Sequence, residues 1–196
     1  MIRLLMLAPP GGGKTTQGRR LSDHFKVPHI STGELLREHV NRSTPIGTAA
    51  RPFIEKGDLV PDELALAVVR QRICEPFLLR AFVLDGFPRT LNEATVAYRL
   101  ATEHRITFSA VIHLIVSDAE VMRRLLARGR ESSRDDDRED TVLHRLEGYR
   151  NETAPLLDFY RGRGLLVEVD GEGPVVEVTE RAELALADRH LTPPTS

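Results

Sequence analysis

Glycine, lysine and hydroxyl side chains crowd into one short stretch near the start of the chain, Ala8-Pro9-Pro10-Gly11-Gly12-Gly13-Lys14-Thr15-Thr16-Gln17. Gly11, Gly12 and Gly13 let backbone N–H groups close around phosphate oxygens. Lys14 adds a mobile positive charge, and Thr15 or Thr16 can set a hydroxyl on Mg2+. The spacing follows G-x-x-x-x-G-K-[ST], except that Ala8 stands where the first glycine would be. An alanine obstructs the loop only if that position needs positive φ. This chemistry is the holding of a nucleoside triphosphate. A second candidate is Asp85, which ends the apolar run Phe82-Val83-Leu84. An acidic residue in that place orients Mg2+ or its water ligands beside a phosphate loop; the plainer alternative is a capping Asp in the turn Gly86-Phe87-Pro88. An ATPase would commonly follow it with a second carboxylate to activate water. This chain has Gly86, so water is not the evident nucleophile.

Arginines are the third signal: Arg37, Arg89, Arg124, Arg128, Arg134 and Arg145. Any one of them can be a solvated helix ornament. Together they suit phosphoryl transfer between two nucleotides, where two polyanions meet and catalysis is largely positioning and charge neutralisation by fixed guanidinium groups.

The elements that must position these residues alternate strand and helix. Leu4-Leu5-Met6-Leu7 is a buried-strand run feeding the loop, and the following helix carries Leu21 and Phe25 inward to about Lys26. His29-Ile30 is a brief strand, and Thr32 is placed to cap the next helix. A further helix is expected from Ile46 to Lys56, so residues 32–61 form a small helical insert. A helix from Pro61 leads to the strand ending at Asp85, and Ala110-Val111-Ile112-His113-Leu114-Ile115-Val116 is another strand. The helix from Asp118 turns Val121, Leu125 and Leu126 inward and a cationic face outward. Residues 131–140 are charge-dense and apolar-poor, which predicts a loop. One long helix is expected through Val142, Leu146, Tyr149, Leu156 and Phe159 despite Pro155, then a strand over Leu165–Val169 and a helix over Pro174–Asp188. Continuous apolar strands without tight hairpin signals predict an α/β fold, a parallel sheet covered on both faces, with the ligand crevice at the strands' carboxyl ends. The phosphate loop and Asp85 then share one edge.

A length of 196 residues suits a single domain, and a net charge of −2 argues against a protein held to nucleic acid by bulk electrostatics. No apolar run reaches membrane-spanning length, and the one cysteine, Cys74, reads as a buried reduced thiol, so a cytoplasmic chain is expected.

With these residues in place the chain resembles the adenylate kinases among the nucleoside monophosphate kinases. The likeness is carried by Pro10-Gly11-Gly12-Gly13-Lys14-Thr15-Thr16-Gln17, Ile30-Ser31-Thr32-Gly33-Glu34-Leu35-Leu36-Arg37, Gly57-Asp58-Leu59-Val60-Pro61-Asp62-Glu63, Leu84-Asp85-Gly86-Phe87-Pro88-Arg89-Thr90 and Thr153-Ala154-Pro155-Leu156-Leu157. It implies a P-loop three-layer sandwich, with a core of residues 1–31, 62–128 and 140–190, a monophosphate-binding insert of residues 32–61, a short lid of residues 129–139 and a frayed tail of residues 191–196. It implies reversible transfer from ATP to AMP with Mg2+ as cofactor, in a monomer that binds small nucleotides and neither nucleic acid nor membrane. Carried over by position, Thr32, Arg37, Val60, Gly86, Arg89 and Glu93 match the acceptor site. Gly11, Gly12, Gly13, Lys14, Thr15, Thr16, Arg124 and Arg128 match the donor site, with Thr15 and Asp85 toward Mg2+. Lys14, Arg89, Arg128, Arg134 and Arg145 would surround the transferring group, Arg134 and Arg145 also reaching the acceptor, and Asp136 and Asp137 would lock the lid arginines.

Two departures besides Ala8 stand out. Thr15 occupies a position where the family usually has glycine. Glu93 replaces the family's adenine-reading glutamine, and Asn92 precedes it. A carboxylate can accept from adenine N6 but cannot donate to N1, a mismatch worth about 1–3 kcal/mol. Guanine offers two donors on that edge, so GMP is the alternative acceptor. A nucleotide sensor with little turnover and a kinase for a small alcohol are the remaining alternatives; the arginine set and the insert, respectively, argue against them.

Overall fold

A computed structural model describes residues 2–73, 81–103, 105–131 and 139–193. Five parallel strands form one sheet in the order β2-β3-β1-β4-β5: β1 (Arg3–Leu7), β2 (His29–Ser31), β3 (Phe82–Asp85), β4 (Ala110–Ile115) and β5 (Leu166–Asp170). Helices α1 (Lys14–Phe25), α2 (Thr32–Asn41), α3 (Pro45–Lys56), α4 (Asp62–Ile73), α5 (Leu91–Glu103), α6 (Asp118–Glu131), α7 (Glu139–Gly148), α8 (Pro155–Arg161) and α9 (Val175–Ala187) connect and cover them.

The apolar strands are explained by burial on both faces. Side chains alternate across a sheet, and in β1 Leu4 and Met6 join the cluster holding Leu21 and Phe25 of α1 with Val178, Ala182 and Leu186 of α9. Leu5 and Leu7 join the opposite cluster, with Ala65 and Val69 of α4, Ala94 of α5, and Leu156 and Tyr160 of α8. This is the three-layer α/β sandwich expected from the sequence. β1 lies at the centre, paired with β3 in the register Met6↔Asp85 and with β4 in the register Leu7↔His113. The carboxyl ends of β1 and β3, and with them the phosphate loop and Asp85, therefore emerge side by side. Leu36, Ala50 and Val68 form a smaller cluster of their own with Ile46, Ile54, Val60 and Leu64, which seats α2 and α3 on α4.

Two local expectations are corrected. Thr32 does not cap α2: it is the first helical residue and Ser31 occupies the cap, with no side-chain cap bond, because the Ser31 hydroxyl is turned to Asp85. The single long helix through Pro155 is interrupted. Pro155 lacks the N–H that a continuous ladder would require, and the chain enters a π turn over Tyr149–Thr153, with the Ala154 amide donating to the Tyr149 carbonyl at 2.8 Å, before α8 begins. Cys74 and most of the loop expected over residues 131–140 lie outside the described residues; the described ends of that stretch are helical rather than loop, Glu131 closing α6 and Glu139 and Asp140 opening α7.

Candidate functional site

The phosphate loop follows from local sterics. Gly11 has φ +77° and Gly13 φ +92°, and a Cβ on Gly11 would sit 2.6 Å from Leu125 Cγ. Both conditions select glycine. Ala8 is buried and is not among the positive-φ residues, so its Cβ is accommodated where the motif would have a first glycine. Gly13 serves as the N-terminal cap of α1 with no side-chain cap bond, which leaves the positive end of that helix facing the loop.

Asp85, 2% exposed, is held from neighbouring elements. Its Oδ1 accepts from the Ser31 hydroxyl at 3.0 Å and the Thr15 hydroxyl at 3.4 Å, and its Oδ2 accepts from His29 Nε2 at 2.8 Å. Burial disfavours its charged form, but the His29 hydrogen bond and the charge of Lys14, helped by Ser31, hold the carboxyl below the ordinary range. An ionised carboxylate only accepts, so Nε2 is the protonated nitrogen of His29. Among the described residues no group of three or more His, Cys, Asp or Glu side chains could hold a metal by itself. The set present, one ionised carboxylate and the Thr15 hydroxyl beside a phosphate cradle, fits Mg2+, which keeps several waters and takes substrate phosphates as ligands. Thr16 is exposed.

Two clefts meet at Lys14. One, of about 500 Å³, is lined by Gly33, Arg37, Val60, Gly86, Arg89 and Arg145 among others. The second, of about 450 Å³, is lined by Gly11 to Gln17, Arg124, Arg128 and the segment from Gly171 to Val178. Lys14 borders both. Its ammonium is pushed down to about 7, chiefly by burial, with Arg89, Arg145 and Arg128 lowering it further and Asp85 opposing them. Burial together with clustered cations around one lysine suits a site that takes polyanions. Arg89 and Arg145 belong to the first cleft and Arg128 to the second, so arginines from separate segments converge on the gap. Arg134, Asp136 and Asp137 lie outside the described residues.

In the first cleft, the Arg37 guanidinium lies over Gly33, within 3.4 Å of where a Cβ there would stand. Arg89 Nε donates to the Gly86 carbonyl at 3.0 Å. Thr32, 1% exposed, has a hydroxyl without a hydrogen-bond partner, beside Gly86; such an orphan is what a ligand atom would satisfy. Glu93 sits behind Arg89 and Thr90, which form the wall. Its Oε2 accepts from the Arg89 amide at 2.6 Å and the Thr90 amide at 3.4 Å, while the Glu93 amide donates to the Thr90 hydroxyl at 3.1 Å. This is a capping box at the start of α5. Asn92 is turned to Asp62, donating at 2.8 Å. In the second cleft, Arg124 donates to Glu120 at 2.7 Å and to the Gly171 carbonyl at 3.0 Å, which lays its guanidinium along the wall facing Val175 and Val178.

The family model for adenylate kinase matches residues 6–165. The chain belongs to the adenylate kinase family. It is 43% identical over 188 residues to an adenylate kinase of Thermobifida fusca, across 96% of this chain and 100% of that protein. It is 44% identical over 185 residues to an adenylate kinase of Nocardia farcinica, across 94% and 99%, and 38% identical over 179 residues to one from Leptospira biflexa, across 91% and 96%. The nucleoside monophosphate kinase fold thus accounts for the central β1, the adjoining Asp85 strand and the helical insert.

Several contributors to this adenylate kinase site were not singled out from sequence. His29 pairs with Asp85, a relation that only the β2–β3 register, Ser31↔Asp85, makes visible. Thr153 donates to the Arg89 carbonyl at 2.9 Å. His144 on α7 meets Asp58 of the insert at 2.5 Å, at the rim of the first cleft. Each joins segments far apart in the chain and carries no local pattern.

Proposed function

We propose that the chain is a nucleoside monophosphate kinase catalysing reversible Mg2+-dependent phosphoryl transfer from ATP to AMP, giving two ADP. The single observation that carries this reading is Lys14 at the junction of two clefts, with arginines from both sides close enough to depress its pKa. A hydrolase needs one nucleotide cleft and a water-activating group; two clefts end to end suit a donor and an acceptor. On this reading ATP occupies the second cleft, its phosphates on the loop amides, Lys14, Thr15 and Thr16, with its base along Arg124. AMP occupies the first, its phosphate between Arg37 and Arg89 and its base toward Thr32, Val60 and Gly86, with Glu93 behind the wall that Arg89 and Thr90 form. Arg128, Arg134 and Arg145 neutralise the charge that spreads over the transferring group.

Mg2+, when bound, would be held by the Thr15 hydroxyl and, through water, by Asp85, and would offset charge on the donor phosphates. The chain's own residues do the rest. His29 and Ser31 fix the Asp85 carboxylate, and the loop amides and Lys14 hold the donor in line with the acceptor. A lid over residues 129–139 excludes water, the competing acceptor, before transfer. The reading is of a monomer, since one chain builds both clefts, and of a cytosolic one, as the composition suggests. The adenylate kinases this chain is similar to lend no support to a GMP preference.

A coupled assay of ADP formed from ATP and AMP tests the reading. Lys14→Met is expected to lower kcat by at least about a hundredfold, as loss of a preorganised transition-state donor does. Turnover unchanged by that substitution, or ADP formed without AMP, would overturn the two-cleft assignment.

A further inference from the structure

Arg89 is gripped at both ends of its own peptide unit. Its amide donates to Glu93 of α5 at 2.6 Å, and its carbonyl accepts from the Thr153 hydroxyl at 2.9 Å. Its side chain is also turned back, Nε donating to the Gly86 carbonyl. Glu93 and Thr153 come from elements 60 residues apart in sequence and are 2% and 7% exposed, so both side chains are largely withdrawn from solvent. Thr153 is the last residue of the π turn. That turn follows directly on α7, which carries Arg145.

We propose that Thr153 is a positioning residue for Arg89: its hydroxyl, set by the π turn and working against Glu93 on the other side, fixes the Arg89 backbone so that the guanidinium meets the acceptor phosphate. The π turn is what delivers the hydroxyl. A hydrogen bond that closes one residue later than in an α-helix rotates Thr153 relative to α7, and Pro155 forces the ladder to break at this place. The same short turn therefore links the helix bearing Arg145 to the loop bearing Arg89, and sets the spacing between two cations that converge on one phosphoryl group. A register error of about 1 Å there is enough to cost rate heavily. The inference rests on the assignment of Arg89 to the acceptor phosphate.

The test compares Thr153→Val, which keeps shape and loses the hydroxyl, with Thr153→Ser, which keeps the hydroxyl. AMP and ATP affinities are measured by calorimetry and kcat by the coupled assay. Loss of one buried hydrogen bond is expected to raise the AMP dissociation constant and lower kcat for a combined effect of about tenfold. ATP affinity should stay within twofold, and the serine variant should recover the parent values. Equal loss for both nucleotides, a serine variant as impaired as valine, or unchanged AMP parameters in the valine variant would each overturn the proposal. If the valine variant does not fold, Thr153→Ala against Thr153→Ser, which differ by one oxygen, gives the same decision. Arg89→Ala is the control on the underlying assignment. If it leaves AMP affinity unchanged, the phosphate-site reading fails; if it abolishes AMP binding while the Thr153 variants match the parent, only the positioning role fails.

Discussion

Replacing Glu93 by glutamine should stabilise the protein in alkaline solution and leave it almost unchanged in acid. The Glu93 carboxyl is 2% exposed and its pKa is raised to about 7, first by burial and then by the nearby charge of Asp62, against the hydrogen bonds from the Arg89 and Thr90 amides and the charge of Arg89. Its folded pKa thus lies above the ordinary value of 4.5. Between these two values the folded chain binds the proton more tightly than the unfolded chain, so stability present below pH 4.5 is lost as pH rises through 7. A difference of roughly 2.5 pH units corresponds to about 3 kcal/mol at full ionisation. At pH 5 the unfolded chain has begun to ionise, so the penalty there is under about 1 kcal/mol and the change between pH 5 and pH 8 is about 2.5 kcal/mol. Glutamine retains an oxygen for the Arg89 amide and never ionises. Urea unfolding of parent and variant at the two pH values, taken as a difference of differences, isolates this residue from every other titrating group. A gap between the two proteins that stays constant from pH 5 to pH 8 would refute the reasoning.

Three further outcomes are expected. Because Lys14 is pushed down to about 7, donor phosphates should restore its proton, so ATP binding at pH 8 should take up a fraction of a proton, seen by calorimetry in two buffers of different ionisation enthalpy; uptake independent of Lys14, tested with Lys14→Met, would count against it. Ala8→Gly should leave ATP affinity unchanged and cost about 0.5–1 kcal/mol in thermal unfolding, since the native conformation there needs no positive φ. Gly11→Ala should lower ATP affinity at least about tenfold, because φ is +77° and the new methyl would meet Leu125 at 2.6 Å; binding equal to the parent's would show the loop to be more pliant than its packing indicates.

The fold was readable where burial is uniform. Apolar runs such as Leu4–Leu7 and Ala110–Ile112 suit strands covered on both faces, and the structure covers them. The phosphate loop was readable because its requirements are local: glycine for φ, lysine for charge and a strand before a helix. What sequence left hidden depends on partners far away in the chain. Ser31 forgoes the cap bond of α2 for Asp85, which only strand pairing brings near. The helical period through Pro155 was real, but the π turn shifts its phase, and Thr153 acquires its role only because Arg89 lies opposite. Glu93 matched a base-reading position by alignment of blocks, while the Thr90-to-Glu93 spacing also fits a capping box; its Oε2 is engaged with backbone amides in the structure.

Two clefts that share Lys14 and otherwise have separate linings carry a kinetic corollary on the proposed assignment. Each nucleotide has a seat of its own, so no compulsory order of addition follows from the architecture. In the reverse direction a diphosphate must fill both seats at once, and the rate at low ADP should climb with the square of its concentration.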